Sequence, residues 1–178
     1  MKSRLLSFVL VTVLASVFSL AAQAASMIQV EVVVFRHANT PLVASLPPSH
    51  NWATGASVLI ERNEVPAFLN DAVAKLTPDQ GYAVLLHKAW RQNLTGNTAD
   101  LAFKMGQPRF ELSPIQGRLQ VSLGDQITVT ANFWVNQFDE QGQITASEHI
   151  DQTFKVRPNE VRYLDHSSLG ALVRISTL

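Results

Sequence analysis

The chain has 178 residues, 14 Lys+Arg against 14 Asp+Glu, five His and no Cys, with 47% hydrophobic residues. That is enough apolar material for one domain with its own core. The missing cysteines exclude disulfides and Cys-ligated zinc or iron–sulfur sites. A formal charge of zero carries no basic footprint for nucleic acid.

The first 24 residues have the three parts of a secretory leader. Lys2 and Arg4 open it, Leu5 to Leu20 is apolar apart from Ser and Thr, and Ala22-Gln23-Ala24 offers a small-residue cleavage site. About 16 apolar residues fall short of the ~20 that span a bilayer, so cleavage after Ala24 is expected rather than anchoring. Losing Lys2 and Arg4 would leave Ala25 to Leu178 weakly acidic, with no membrane span. With no Cys after the apolar run, lipoprotein acylation is excluded.

Ile28 to Arg36 follows. Ile28, Val30, Val32 and Val34 share one face, and Val33 and Phe35 make the other face apolar as well. That predicts an interior strand covered on both sides. His37 to Asn63, with three prolines and little period, reads as a long loop. Val65, Phe68, Leu69, Ala72, Val73 and Leu76 then fall on one helical stripe. Asn63 is placed to cap it, Pro66 fits its first turn and Pro78 stops it. This predicts a helix lying on a sheet. Thr77 to Gln80 could start another helix, but Tyr82, Val84, Leu86 and Trp90 alternate, which favours a strand to Gln92. Asn93 to Ser113 reads as a second long loop.

Arg118 to Gln137 is a hairpin. Leu119, Val121 and Leu123 alternate with polar residues, as do Ile127, Val129, Ala131, Phe133 and Val135. A two-residue loop at Gly124-Asp125 would put the two apolar sets on opposite faces. A three-residue loop, Gly124 to Gln126, pairs Val121 with Val129 and keeps one apolar face. After a turn at Asp139 to Gly142, further strands are expected at Ile150 to Val156, Val161 to Leu164 and Ala171 to Ile175, with a bend at Asp165 to Gly170. The order predicts a single α+β domain, a mainly antiparallel sheet with one helix packed on a face.

Little of the chemistry is enzymatic. No G-x-S-x-G elbow occurs, and Asp165-His166-Ser167 are sequence neighbours, which seldom have triad geometry. His37, His50, His87, His149 and His166 show no metal-ligand spacing, and His87 reads as a structural histidine; convergence of His149, Asp165 and His166 is left open. No phosphate loop is present, so no cofactor is expected. Trp52, Trp90 and Trp134 could offer flat platforms to sugars, Trp134 lying on the polar face of its strand, although core packing is the ordinary role of Trp. Arg91 and Gln92 could contact acidic peptide groups.

Several stretches together resemble one family: Val30 to Arg36; Leu86-His87-Lys88-Ala89-Trp90-Arg91-Gln92; the hairpin Gly117 to Trp134; and Tyr163-Leu164-Asp165-His166 followed by Leu169 to Val173. They are similar to the CsiV family of periplasmic peptidoglycan-binding proteins, over most of Ala25 to Leu178. The chain departs from the family pattern at Ser167, where Pro is usual, and at Pro158 to Tyr163, where a Ser-Gly-Glu-Leu-His-Tyr-like run is usual. The resemblance implies a non-catalytic, periplasmic protein that binds peptidoglycan and supports a class A penicillin-binding protein with its outer-membrane lipoprotein activator. Trp90, Arg91, Tyr163, Asp165 and His166 are the ligand-binding candidates it implies. For Asp165 and His166, a structural role in the bend is the favoured reading over direct ligand contact, with Asp165 accepting backbone N–H bonds and orienting His166. The alternatives are an adaptor without glycan affinity and a small wall hydrolase using Asp165 and His166.

Overall fold

Ile28 to Phe35 is apolar on both faces, and the computed structural model, which describes residues 27–178, places this run inside the protein. The expected leader lies outside the described residues. Strand β1 (Met27–His37) is buried without a break from Ile28 to Phe35 and pairs antiparallel with two neighbours. The remaining strands are β2 (Ser57–Val58), β3 (Tyr82–Asn93), β4 (Thr98–Met105), β5 (Ile115–Ser122), β6 (Ile127–Phe138), β7 (Ile144–Val156), β8 (Val161–Asp165) and β9 (Leu169–Thr177). They form a four-stranded sheet in the order β3-β1-β9-β8 and a five-stranded sheet in the order β2-β4-β5-β6-β7. All pairings are antiparallel except the short β2–β4 contact.

One buried cluster draws on both sheets, from Val30, Val32 and Val34 of β1 to Leu119, Val129 and Phe133 of the other sheet. The two inner faces therefore make the core of a sandwich. At its centre Trp90 stacks on Phe103 at 5.3 Å, and Phe103 meets Phe133 at 5.9 Å. Gly117 permits this closure: a Cβ there would lie 2.5 Å from Phe103 Cζ and 2.6 Å from Phe133 Cδ1. The buried Glu148 carboxylate of β7 is neutralised by Arg36 of β1.

The hairpin register is the one the apolar alternation demands, with Val121 opposite Val129 and Leu119 opposite Ala131. Two expectations are corrected. The segment 93–113 contains β4, whose alternation of Ala99, Leu101 and Phe103 with Asp100, Ala102 and Lys104 outweighs its flanking turn residues. The long helix on a sheet face is reduced to one turn, α1 (Asn70–Val73). The reason is tertiary. Glu64 bridges Trp90, and the Val65 N–H donates to the Ala89 carbonyl at 2.9 Å, so the start of the stripe runs extended along the edge of β3. The Phe68 and Leu69 N–H groups then donate to the buried Glu31 carboxylate at 2.9 and 2.8 Å, and helical geometry starts only beyond them. Leu69, with Ala72, Val73 and Leu76, packs against Val33 and Phe35 on the outer face of the four-stranded sheet.

Candidate functional site

On β8, Leu164 enters the core, which turns Val161, Tyr163 and Asp165 to the outer face of the sheet. Cross-strand register sets Tyr163 opposite Leu172 and Asp165 opposite Gly170 of β9, while Phe35 of β1 also faces Gly170. Gly170 is what lets the Phe35 ring lie flat there, since a Cβ would come within 2.4 Å of Phe35 Cζ. Phe35 stacks with Tyr163 at 6.3 Å and His37 at 5.7 Å, and meets Tyr82 edge-on at 5.5 Å. These rings form a continuous aromatic floor.

Its exposed margin is Tyr163, 45% exposed, with Val161 and, beyond them, Phe68, 61% exposed. The Arg174 guanidinium lies 4.4 Å from the Phe68 ring centroid and is held by two hydrogen bonds to Asn159. Tyr163 donates its hydroxyl hydrogen to Asp165 Oδ1 at 2.8 Å. Burial, then that hydrogen bond, then the charge of Asp165 and the proximity of Tyr82 push the Tyr163 hydroxyl up from 10.0 to about 12. It therefore stays a neutral donor throughout the physiological range. Flat rings flanked by a carboxylate and a guanidinium suit a ligand with apolar ring faces and polar edges, as a sugar has.

The candidates drawn from the sequence separate. Tyr163 and Asp165 stand together at this site. His166 does not join them: its N–H closes the turn on the Leu169 carbonyl at 3.1 Å, and its Nδ1 lies 3.3 Å from the Ser168 hydroxyl. Asp165 is bonded to Tyr163 instead of orienting His166, and the His166 Nδ1 meets the buried Ser168 hydroxyl instead of that of Ser167, so Asp165, His166 and Ser167 do not form the hydrogen-bonded series a triad needs. The Asp165 carbonyl accepts from Gln152 Nε2 at 2.7 Å, tying the turn to β7. Trp90, 1% exposed, is a core residue and offers no face to a ligand. Trp52 and Trp134 are likewise buried, against each other, with His149 stacked on Trp134 at 4.3 Å; the expectation that Trp134 is open on its strand is corrected. Arg91 is exposed at the far end of β3, beside Arg62.

His87 is structural, its Nε2 lying 2.8 Å from Glu31 Oε1. No group of three or more His, Cys, Asp or Glu able to hold a metal occurs among the described residues. Sequence reasoning missed Phe35, His37, Tyr82, Phe68 and Arg174. Alternation along β1 and β3 puts the first three on one strand face and was a usable signal. Nothing local marks Phe68, which the helical stripe would have buried.

Residues 48–178 match a family model described as a peptidoglycan-binding protein, CsiV. No curated protein and no solved structure matches the chain. Among the described residues, no helix is long and apolar enough to cross a membrane.

Proposed function

We propose, because the chain belongs to the CsiV family of peptidoglycan-binding proteins, that it grips peptidoglycan non-catalytically in the periplasm. The ligand surface is the exposed Tyr163 margin of the outer face of the four-stranded sheet, beside the segment that covers Val33 and Phe35. The observation that carries this is the exposed Tyr163, hydrogen-bonded to Asp165 over a ring floor that Gly170 keeps flat. Sugar faces stack on Tyr163 and Phe68, and Asp165 and Arg174 take the polar edges. The role in wall synthesis is support of a class A penicillin-binding protein and its outer-membrane lipoprotein activator, as the family resemblance implies.

Co-sedimentation with purified sacculi tests this. The wild type should pellet, and Tyr163→Ala and Phe68→Ala should each weaken binding by about fivefold or more, the scale of one lost stacking contact. Wild type left in the supernatant beside a pelleted control binder would overturn it. A second reading, a protein–protein adaptor, has its own support. Phe110, 78% exposed, stands at an open groove of about 610 Å³ with Pro47, Pro48, Phe138 and Ile144. An adaptor would ignore sacculi and lose its partner in Phe110→Ser.

A further inference from the structure

We propose that Arg62 and Arg91 form a separate anion pocket that takes the free carboxylate of a wall stem peptide; the identity of the ligand rests on the peptidoglycan reading, the chemistry of the site does not. Arg91 projects from β3 opposite Gln29 of β1. Arg62 belongs to the 3-10 turn Glu61–Asn63, which is pinned beside β3 by the Glu64–Trp90 bridge and the Val65 N–H to Ala89 carbonyl bond. Together with Asn63, Gln92 and Asn93 the two arginines line an open pocket of about 450 Å³. That lies within the range of small-ligand sites, about 300–1,000 Å³.

The turn sorts charge by side. Glu61 and Glu64 line the neighbouring groove by Trp90, where Lys88 takes the Glu64 carboxylate at 2.6 Å. No acidic residue lines the arginine pocket, and neither Arg62 nor Arg91 forms an ion pair among the described residues. Two unneutralised guanidinium forks in a shared recess are built for an oxyanion. The amide side chains favour a peptide terminus over phosphate. Gln92 gives an N–H to the Asn93 carbonyl at 3.3 Å, which leaves its oxygen as an acceptor. A peptide end brings an amide N–H set back from its carboxylate to satisfy that oxygen while both guanidinium groups hold the anion, whereas inorganic phosphate carries its O–H on the anion itself.

The test is a titration of the ¹⁵N-labelled chain with N-acetyl-D-alanyl-D-alanine and with its C-terminal amide. The acid should move the backbone signals of Arg62, Asn63, Arg91, Gln92 and Asn93, and the amide should not. Arg62→Gln and Arg91→Gln should each weaken binding about tenfold or more. Both side chains are exposed, so neither change empties the core. Silence at those signals, equal response to the amide, or displacement by inorganic phosphate at equal concentration would overturn the assignment. Co-sedimentation of the same preparation separates the two ideas. Pelleting with silent signals removes the pocket alone; responding signals without pelleting remove the wall reading and keep a carboxylate site.

Discussion

At the scale of single residues, close approach decides more than polarity does. Gly170 is the clearest instance. Its missing side chain is the space the Phe35 ring occupies, and Phe35 is the floor on which Tyr163 lies. Gly170→Ala must push that ring aside within a buried layer, at a cost of about 1–3 kcal/mol. Urea unfolding of the variant should show a lower midpoint with an unchanged slope; an unaltered midpoint would mean that the floor is looser than drawn. Residue chemistry was legible in part. The family resemblance singles out Tyr163 and Asp165, and they do stand together, bonded to each other. It singles out Trp90 as well, and Trp90 is core. The difference is one of direction: along a strand a side chain faces either ligand or core, and an apolar aromatic suits both.

At the scale of elements, most strands were legible, but β2 and β4 were hidden in expected loops and the helix was overextended. A strand with unlike faces announces itself through alternation, and the β5–β6 register followed from that; β1 followed from a β-branched run apolar on both faces. The stripe from Val65 to Leu76 satisfied helical spacing equally well, yet its first residues are held out of the helix by partners remote in sequence. Glu31 is the agent, a buried carboxylate accepting the Phe68 and Leu69 N–H groups and meeting His87. Removing it in Glu31→Ala leaves two donors unpaired, which costs about 1–3 kcal/mol. Hydrogen exchange should rise across 66–76 while β5 and β6 stay protected. Uniform loss of protection would show that Glu31 holds the sandwich rather than this segment.

For the molecule as a whole, two charged groups tie stability to pH with one sign. Burial holds the His149 imidazole below its ordinary 6.5, Asp151 opposing and His166 adding to the shift. Below pH 6.5 the unfolded chain binds a proton that the folded chain resists, so stability falls as the pH drops from 6.5 toward the depressed folded value. The Asp100 carboxyl sits below 3.8, chiefly through its hydrogen bond from Arg118. The stability it contributes is present above 3.8 and is lost as the pH falls through its lowered value. Thermal midpoints should therefore decline in two stages on acidification, and His149→Gln should remove the first. A midpoint that is level between pH 7 and 5 in the wild type would count against the buried imidazole.

The matched family span starts at residue 48, yet β1, which lies before it, is the strand both neighbours in its sheet depend on. By itself the sequence determined which segments alternate, which run is buried on both faces, how the central hairpin is registered and which family the chain resembles. Those properties are local, written in periods of two and in the parity of a loop. Only the tertiary structure decided that two sheets share one core, that the striped segment keeps a single helical turn, that the tryptophans are interior and that Arg62 stands beside Arg91. Each of these depends on contacts between residues far apart in the chain, and spacing along a sequence carries no measure of distance across a fold.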